Sequence, residues 1–245
     1  MQESVHEEHL NTDHWWFRAR RTIFARVLDD HFRREGTPRI LDLGPGSGVN
    51  NDVLVPRGRV TALDLSPISL ARCIGDLPID GVLADATRTP FLDGSFDLVC
   101  ALDVIEHIDD EDAIVAEARR VVAPDGLFLF SVPAYQFLWS RQDVLNHHKR
   151  RYTRPRLRAL VERHGFHIEH LTYFNTLLFP PIAAFRLLSK PFTRRHVEVG
   201  TSDLSVGTPL GLDRVLYGLF AGEGGWVTRR SLPFGVSILG WARPR

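Results

Sequence analysis

Short apolar runs alternate along this chain with stretches in which apolar residues return every three or four positions. Ile40–Leu43, Val60–Asp64, Gly81–Ala86, Phe96–Leu102 and Leu127–Val132 are compact runs dominated by aliphatic residues. Runs of this length without polar alternation read as strands covered on both faces. Between them the spacing turns helical. Trp16, Ala19, Ile23 and Val27 mark one apolar stripe, Leu70 and Ile74 a second, and Val115, Ala118, Val121 and Val122 a third. Strand and helix in strict alternation predict an α/β architecture, a doubly wound and mostly parallel sheet whose ligand-binding residues gather at the strand C-termini.

Local punctuation supports these elements. Asn11–Asp13 is a helix-start signal, Ser66-Pro67 an N-cap followed by proline at the first helical position, and Pro124-Asp125-Gly126 a turn into the fifth strand. A short helix is expected over Asn50–Leu54, and Thr153-Arg154-Pro155 opens another that stops at Gly165. Phe166–Phe174 reads as a sixth strand and Ser237–Ala242 as the seventh. About 60 residues separate them, far more than a hairpin needs. This insertion holds Leu177–Phe179, Ile182–Phe185 and Val215–Phe220, too apolar for a solvated loop, and is expected to form two short helices over the substrate side. The expected layout is one domain over 1–245: an N-terminal lid helix (1–36), a ligand-binding core (37–174), an apolar cap (175–236) and the last strand (237–245).

Composition narrows the possibilities. A chain of 245 residues with 44% hydrophobic and 24% charged residues suits one sizeable globular domain. The net charge of +0 gives no general pull toward nucleic acid or an anionic membrane. Cys73 and Cys100 are spaced neither for a metal nor for a disulfide framework, which fits a reducing, cytoplasmic setting. No apolar run approaches the ~20 residues of a membrane span, so stable membrane insertion is not expected. The apolar insertion leaves a homodimer open.

The chemistry starts where the first strand ends. Asp42-Leu43-Gly44-Pro45-Gly46-Ser47-Gly48 places three glycines in five residues, with Val49 where a dinucleotide fingerprint would space its third glycine. Asp64 ends the second strand about 20 residues later, where a carboxylate can accept ribose hydroxyls. Asp85 ends the third, and Asp103-Val104-Ile105-Glu106-His107-Ile108 leaves the fourth. This set resembles the class I S-adenosylmethionine (SAM) dependent methyltransferases, from Ile40 to about Phe174. The opening His14-Trp15-Trp16-Phe17, with Arg20, is similar to a bacterial small-molecule subgroup. The resemblance implies a seven-stranded Rossmann-like methyltransferase fold and SAM as cofactor, released as S-adenosylhomocysteine (SAH). It places cofactor contacts at Asp42, Gly44, Gly46, Gly48, Asp64, Leu65, Asp85, Ala86 and Asp103. Within it Asp64 holds the ribose, while Asp85 and the Ala86 N–H read the adenine edge. Trp16 and Arg20 would cover the cofactor, with the guanidinium on its carboxylate. A plain core helix is the alternative reading of that opening.

Methyl transfer from a sulfonium needs an aligned nucleophile and a place for any proton it carries. His148 and His107 are the candidate bases and Tyr152 a candidate orienting group, in a loop that also carries Arg151. The adjacent His147 and His148 have no acid or cysteine at ligand spacing, so no metal is expected. The basic run Lys149–Arg151 lacks a second basic stretch with interleaved aromatics, so nucleic acid is not an expected partner. Asn/Asp-Pro-Pro-aromatic, Pro-Cys and double-acid signatures of macromolecular methyltransferases are missing. What remains is a small, lipophilic methyl acceptor. The competing readings are a SAM-fold protein that binds without methylating or catalyses another reaction, and a nicotinamide dehydrogenase.

Overall fold

In the computed structural model, which describes residues 13–193 and 211–245, seven strands form one sheet. They are β1 (Arg39–Leu43), β2 (Arg59–Asp64), β3 (Ile79–Leu83), β4 (Phe96–Leu102), β5 (Val122–Pro133), β6 (Phe166–Phe174) and β7 (Ser237–Pro244). Their order across the sheet is β3-β2-β1-β4-β5-β7-β6. The first five strands are parallel, and β7 lies antiparallel between β5 and β6. The chain order reverses between β1 and β4, so the segments leaving those two strands face one crevice. The glycine turn follows β1 and Asp103–His107 follow β4. Topology alone therefore brings the two motifs together.

Helices cover both faces. On one lie α1 (Trp15–His31), α2 (Asn51–Leu54) and α3 (Pro67–Ile74), and on the other α4 (Glu111–Val121) and, after the short α5 (Arg141–Leu145), α6 (Arg154–Arg163). The insertion adds α7 (Phe179–Thr193), α8 (Leu212–Gly222) and α9 (Gly224–Val227). Two apolar clusters fill the layers. One joins Val115, Val121, Leu157 and Val161 to Phe128 and Phe166, and the other joins Ile23, Val27 and Leu28 to Ile40, Leu98, Phe174 and Phe220.

Several boundaries differ from expectation for local reasons. Helix α1 starts at Trp15, because the His14 ring accepts the Trp16 N–H at 3.3 Å as its cap; Asn11 and Thr12 lie outside the described residues. Its buried stripe is Ala19, Arg20, Ile23, Phe24, Val27 and Leu28, so most of the expected lid is a core helix. The expected Pro124–Gly126 turn is an irregularity inside β5, where the register against β4 shifts between Phe96 and Leu98. A Cβ on Gly126 would come within 2.7 Å of Val122, which ties that kink to glycine. The described insertion holds three helices, and residues 194–210 within it lie outside the described residues. Glu223, fully buried, anchors its start by accepting the N–H groups of Thr176 (2.9 Å) and Leu177 (2.6 Å).

Candidate functional site

Gly44, Gly46 and Gly48 all have positive φ (61°, 56° and 80°), the region where a side chain is strained. Two are packed tightly as well. A Cβ on Gly44 would lie 2.4 Å from Val104, and one on Gly48 2.4 Å from Asn51 and 3.0 Å from the Cys73 backbone. Gly46 differs, since a Cβ there would meet nothing within 4 Å. Its backbone faces open space in which a ligand can approach the main chain.

Acids surround this turn. Asp64 accepts the Gly46 N–H (3.3 Å) and the Ser66 N–H (2.8 Å), so its carboxylate stands at the rim of the glycine turn. Asp42 is buried, and burial together with the charge of Asp64 pushes its carboxyl up to about 7. Leu65 is 64% exposed beside Asp64. Asp85 lies two residues past the end of β3 rather than in it, exposed, and accepts the Thr87 N–H (2.8 Å) and hydroxyl (2.7 Å); Ala86 beside it is buried. Asp103 holds a positive φ of 59° after β4 and pairs with Arg20, whose guanidinium also donates to the Ser131 hydroxyl at 3.0 Å. Arg20 is thus engaged by protein acceptors and is not a free carboxylate clamp. Trp16 is half-buried, its ring 5.3 Å from that of Phe220.

The elevated Asp42 carboxyl yields a signed expectation. An acid whose folded value lies above its unfolded one stabilises below the unfolded value and loses that contribution as pH rises toward the folded one. Asp42→Asn should therefore match the parent in thermal melts near pH 4, and exceed it by several degrees near pH 8. Equal melting shifts at both pH values would contradict a buried, destabilising charge.

The segment after β4 meets the loop after β5 in a second polar cluster. Glu106 is fully buried, and neither carboxylate oxygen has a hydrogen-bond partner on another residue. The His107 and His148 rings meet edge to face, their centroids 4.7 Å apart. The His148 Nε2 is 4.0 Å from Glu106 Oε1, and its Nδ1 is 2.8 Å from Asp143 Oδ1. Asp143 is fully buried and also takes a two-pronged bond from Arg151, Nε at 2.7 Å and Nη2 at 2.9 Å. Burial, and then the neighbouring His148, lower His107 to about 4. Burial and the Asp103 charge raise Glu106 well above the usual carboxylate range.

The structure corrects three expectations about this loop. Tyr152 is not at a substrate surface: it is wholly buried and its hydroxyl donates to Glu111 at 2.6 Å. Arg151 is likewise internal, donating to the Ala134 carbonyl as well as to Asp143. A metal-compatible group does exist, because Glu106, His107 and His148 bring one ligand atom each within 4.8 Å of one another. His148 follows His107 by 41 residues in the chain, and adjacent-residue spacing could not reveal the group. The basic run is mostly spent on ion pairs within the chain, with Lys149 on Asp109 at the surface (3.1 Å) and Arg150 on Glu111 (3.2 Å).

Sequence reading missed Asp143, Ser131 and an aromatic group beside the loop. Tyr135 stacks on Tyr173 (5.0 Å) and Phe137 (5.2 Å), with Phe179 and Phe234 packed around them. Phe179, Phe185 and Phe220 of the insertion have different surroundings. Phe220 is core, Phe185 is 69% exposed, and only Phe179 joins the aromatic group.

Comparison with known proteins completes the assignment. Residues 41–130 match the model of the methyltransferase domain family Methyltransf_11. A Mycolicibacterium smegmatis protein named "Probable S-adenosylmethionine-dependent methyltransferase" is 30% identical over 164 residues, 65% of this chain and 62% of that protein. The chain carries a class I SAM-dependent methyltransferase domain. Its span of that relative is under two thirds. The ubiquinone biosynthesis O-methyltransferase of Hahella chejuensis is 31% identical over 133 residues, 48% of this chain and 55% of that one. In fold, the domain is similar to a solved [4+2]-cyclase, with a TM-score of 0.61 and 17% identity over 97% of this chain and 85% of the cyclase. No helix among the described residues is long and apolar enough to cross a membrane. The cofactor of this family, SAM, suits what surrounds the domain's glycine turn. The opening at Gly46 admits a ligand to the main chain, Asp64 offers acceptors for hydroxyls, and the crowding of Asp42 by Asp64 favours a cationic ligand.

Proposed function

We propose that the chain transfers the methyl group of SAM to an oxygen of a small lipophilic acceptor, and that SAH is released. The observation that carries this reading is the open Gly46 backbone, set between Asp64 on one side and the Asp103–His107 segment on the other. In this reading Gly44, Gly46 and Gly48 shape the cofactor's bed, and Asp64 holds its ribose. Leu65, Asp85 and Ala86 receive the adenine. Asp42 and Asp103 set a negative field suited to a cationic ligand, while Arg20 keeps Asp103 in place and Trp16 closes one end. When bound, SAM supplies a methyl group on a sulfonium. The protein's own work is to align the acceptor and receive its proton, and this falls to His148, held by Asp143, and to His107.

Oxygen as the acceptor atom is supported by the O-methyltransferase relative and by this histidine–carboxylate group, since a hydroxyl must shed a proton. Lipophilicity is supported by the aromatic group of Tyr135, Phe137, Phe179 and Phe234 beside the loop. Calorimetry with SAM tests the cofactor side. Asp64→Ala should weaken binding by about 1.5–3 kcal/mol, the scale of charge-assisted hydrogen bonds. Unchanged affinity would remove the ribose role. A screen of hydroxylated aromatic compounds, read by SAH release, tests the reaction. The cyclase of the same fold motivates one second reading, a non-methylating conversion. Substrate turnover without loss of SAM would favour it.

A further inference from the structure

We infer that Glu106, His107 and His148 form a binding site for a divalent transition-metal ion with at least one open coordination position. Each residue contributes one ligand atom, and the three atoms lie within 4.8 Å of one another. Around a zinc-like ion with bonds of about 2.0–2.2 Å, ligand atoms stand roughly 3.4 Å apart. Side-chain movement of about an ångström would close the set. Two imidazoles and one carboxylate select zinc, iron(II) or cobalt over magnesium or calcium, which prefer all-oxygen surroundings.

A second, independent observation points the same way. Glu106 is fully buried and both its oxygens are without a hydrogen-bond partner on another residue. A buried carboxylate is ordinarily paired. The nearest ring nitrogen, His148 Nε2 at 4.0 Å, is too far for a hydrogen bond and at a distance an ion could bridge. The surroundings of His148 fit the same role. Its Nδ1 is held by Asp143 at 2.8 Å, the arrangement by which a carboxylate fixes the tautomer and aims the other nitrogen of a metal-bound histidine. Asp143 is itself locked by Arg151. His107 and His148 are only partly buried, so an ion has a route in from solvent. The site goes beyond methyl transfer and does not require it; with an ion bound both His148 nitrogens are engaged, so the proton-accepting role proposed above belongs to the ion-free protein.

Cobalt(II) titration of the chelator-treated full-length chain tests the site, read by visible absorption. One equivalent should develop the intense bands of a four- or five-coordinate ion, and one equivalent of zinc should abolish them. Glu106→Gln keeps the side-chain shape and should weaken cobalt binding at least tenfold, as should His107→Ala. Circular dichroism and SAM calorimetry on the same variants establish that they fold and bind cofactor. Absence of the bands in the parent, or bands unchanged in both variants, would overturn the metal site. His148 would then act through its Asp143-held ring alone. Loss of SAM binding by the parent would instead count against the proposed function and leave the cobalt result standing.

Discussion

Asp143→Ala is expected to cost the protein about 3–5 kcal/mol, the scale of breaking a buried ion pair from one side. Asp143 receives bonds from Arg151, His148 and Ser140. Without it, the guanidinium of Arg151 stays buried with only the Ala134 carbonyl in reach of its Nη1. At this chain length such a loss lowers the melting temperature by roughly 6–20 °C. Arg151→Met in the same background should recover part of it, because the orphaned charge disappears. Thermal melts of the two single variants and the double variant check this, and strict additivity would contradict a coupled pair. The pH dependence has a definite sign. Burial alone would raise the Asp143 carboxyl, but hydrogen bonds from His148 and Arg151, with the Arg151 charge, outweigh it and hold it well below the usual range. A depressed acid stabilises above its unfolded value, so this contribution is complete above about pH 5 and drains away as pH falls below 4. The Asp143→Ala penalty should therefore shrink in acid.

His148→Ala should reduce turnover by about 10²–10⁴ while SAM affinity stays within twofold, because the ring acts on the acceptor and not on the cofactor. The two parts of this result are independent. SAH release at saturating SAM reports the first and calorimetry the second. Turnover within threefold of the parent would remove His148 from the chemistry. A large fall in SAM affinity would relocate it to the cofactor side. Asp143→Asn, which keeps the shape but weakens the hold on Nδ1, should show a smaller loss of turnover in the same assay.

The sheet and the glycine turn were legible from the residues because both rest on local rules. Apolar runs of strand length, Ser66 ahead of Pro67, and acids at or just past the ends of the first four strands all carry short-range signals. The structure places every one of those strands. What stayed hidden depends on pairing across distance. Asp143 sits in a segment that carries no motif, and only the fold shows that Arg151 and His148 converge on it. Glu106 and His148 are brought together by two different strand ends, so their approach could not be read from spacing. The Arg20–Asp103 pair was hidden similarly, each residue having been assigned to the cofactor when the two engage one another. Tyr152 misled for the opposite reason. A phenol inside a polar run suggests a surface role, yet its ring is core and its hydroxyl serves Glu111.

The packing of α1 against α8 carries a consequence for how the chain is made. The Ile23, Val27 and Leu28 stripe shares its cluster with Phe220 and Val227, about two hundred residues further along. At synthesis rates of roughly 5–20 residues per second, that stripe emerges some 10–40 s before those two partners exist. Throughout that interval the part of the helix face that Phe220 and Val227 will cover stays bare, although Ile40 and Leu98 of the same cluster are made early. That bare part of the helix is suited to recruit a ribosome-associated chaperone. Moving α1 to the carboxyl end by circular permutation would bring it beside α8 in time as well as in space, and should raise the soluble yield.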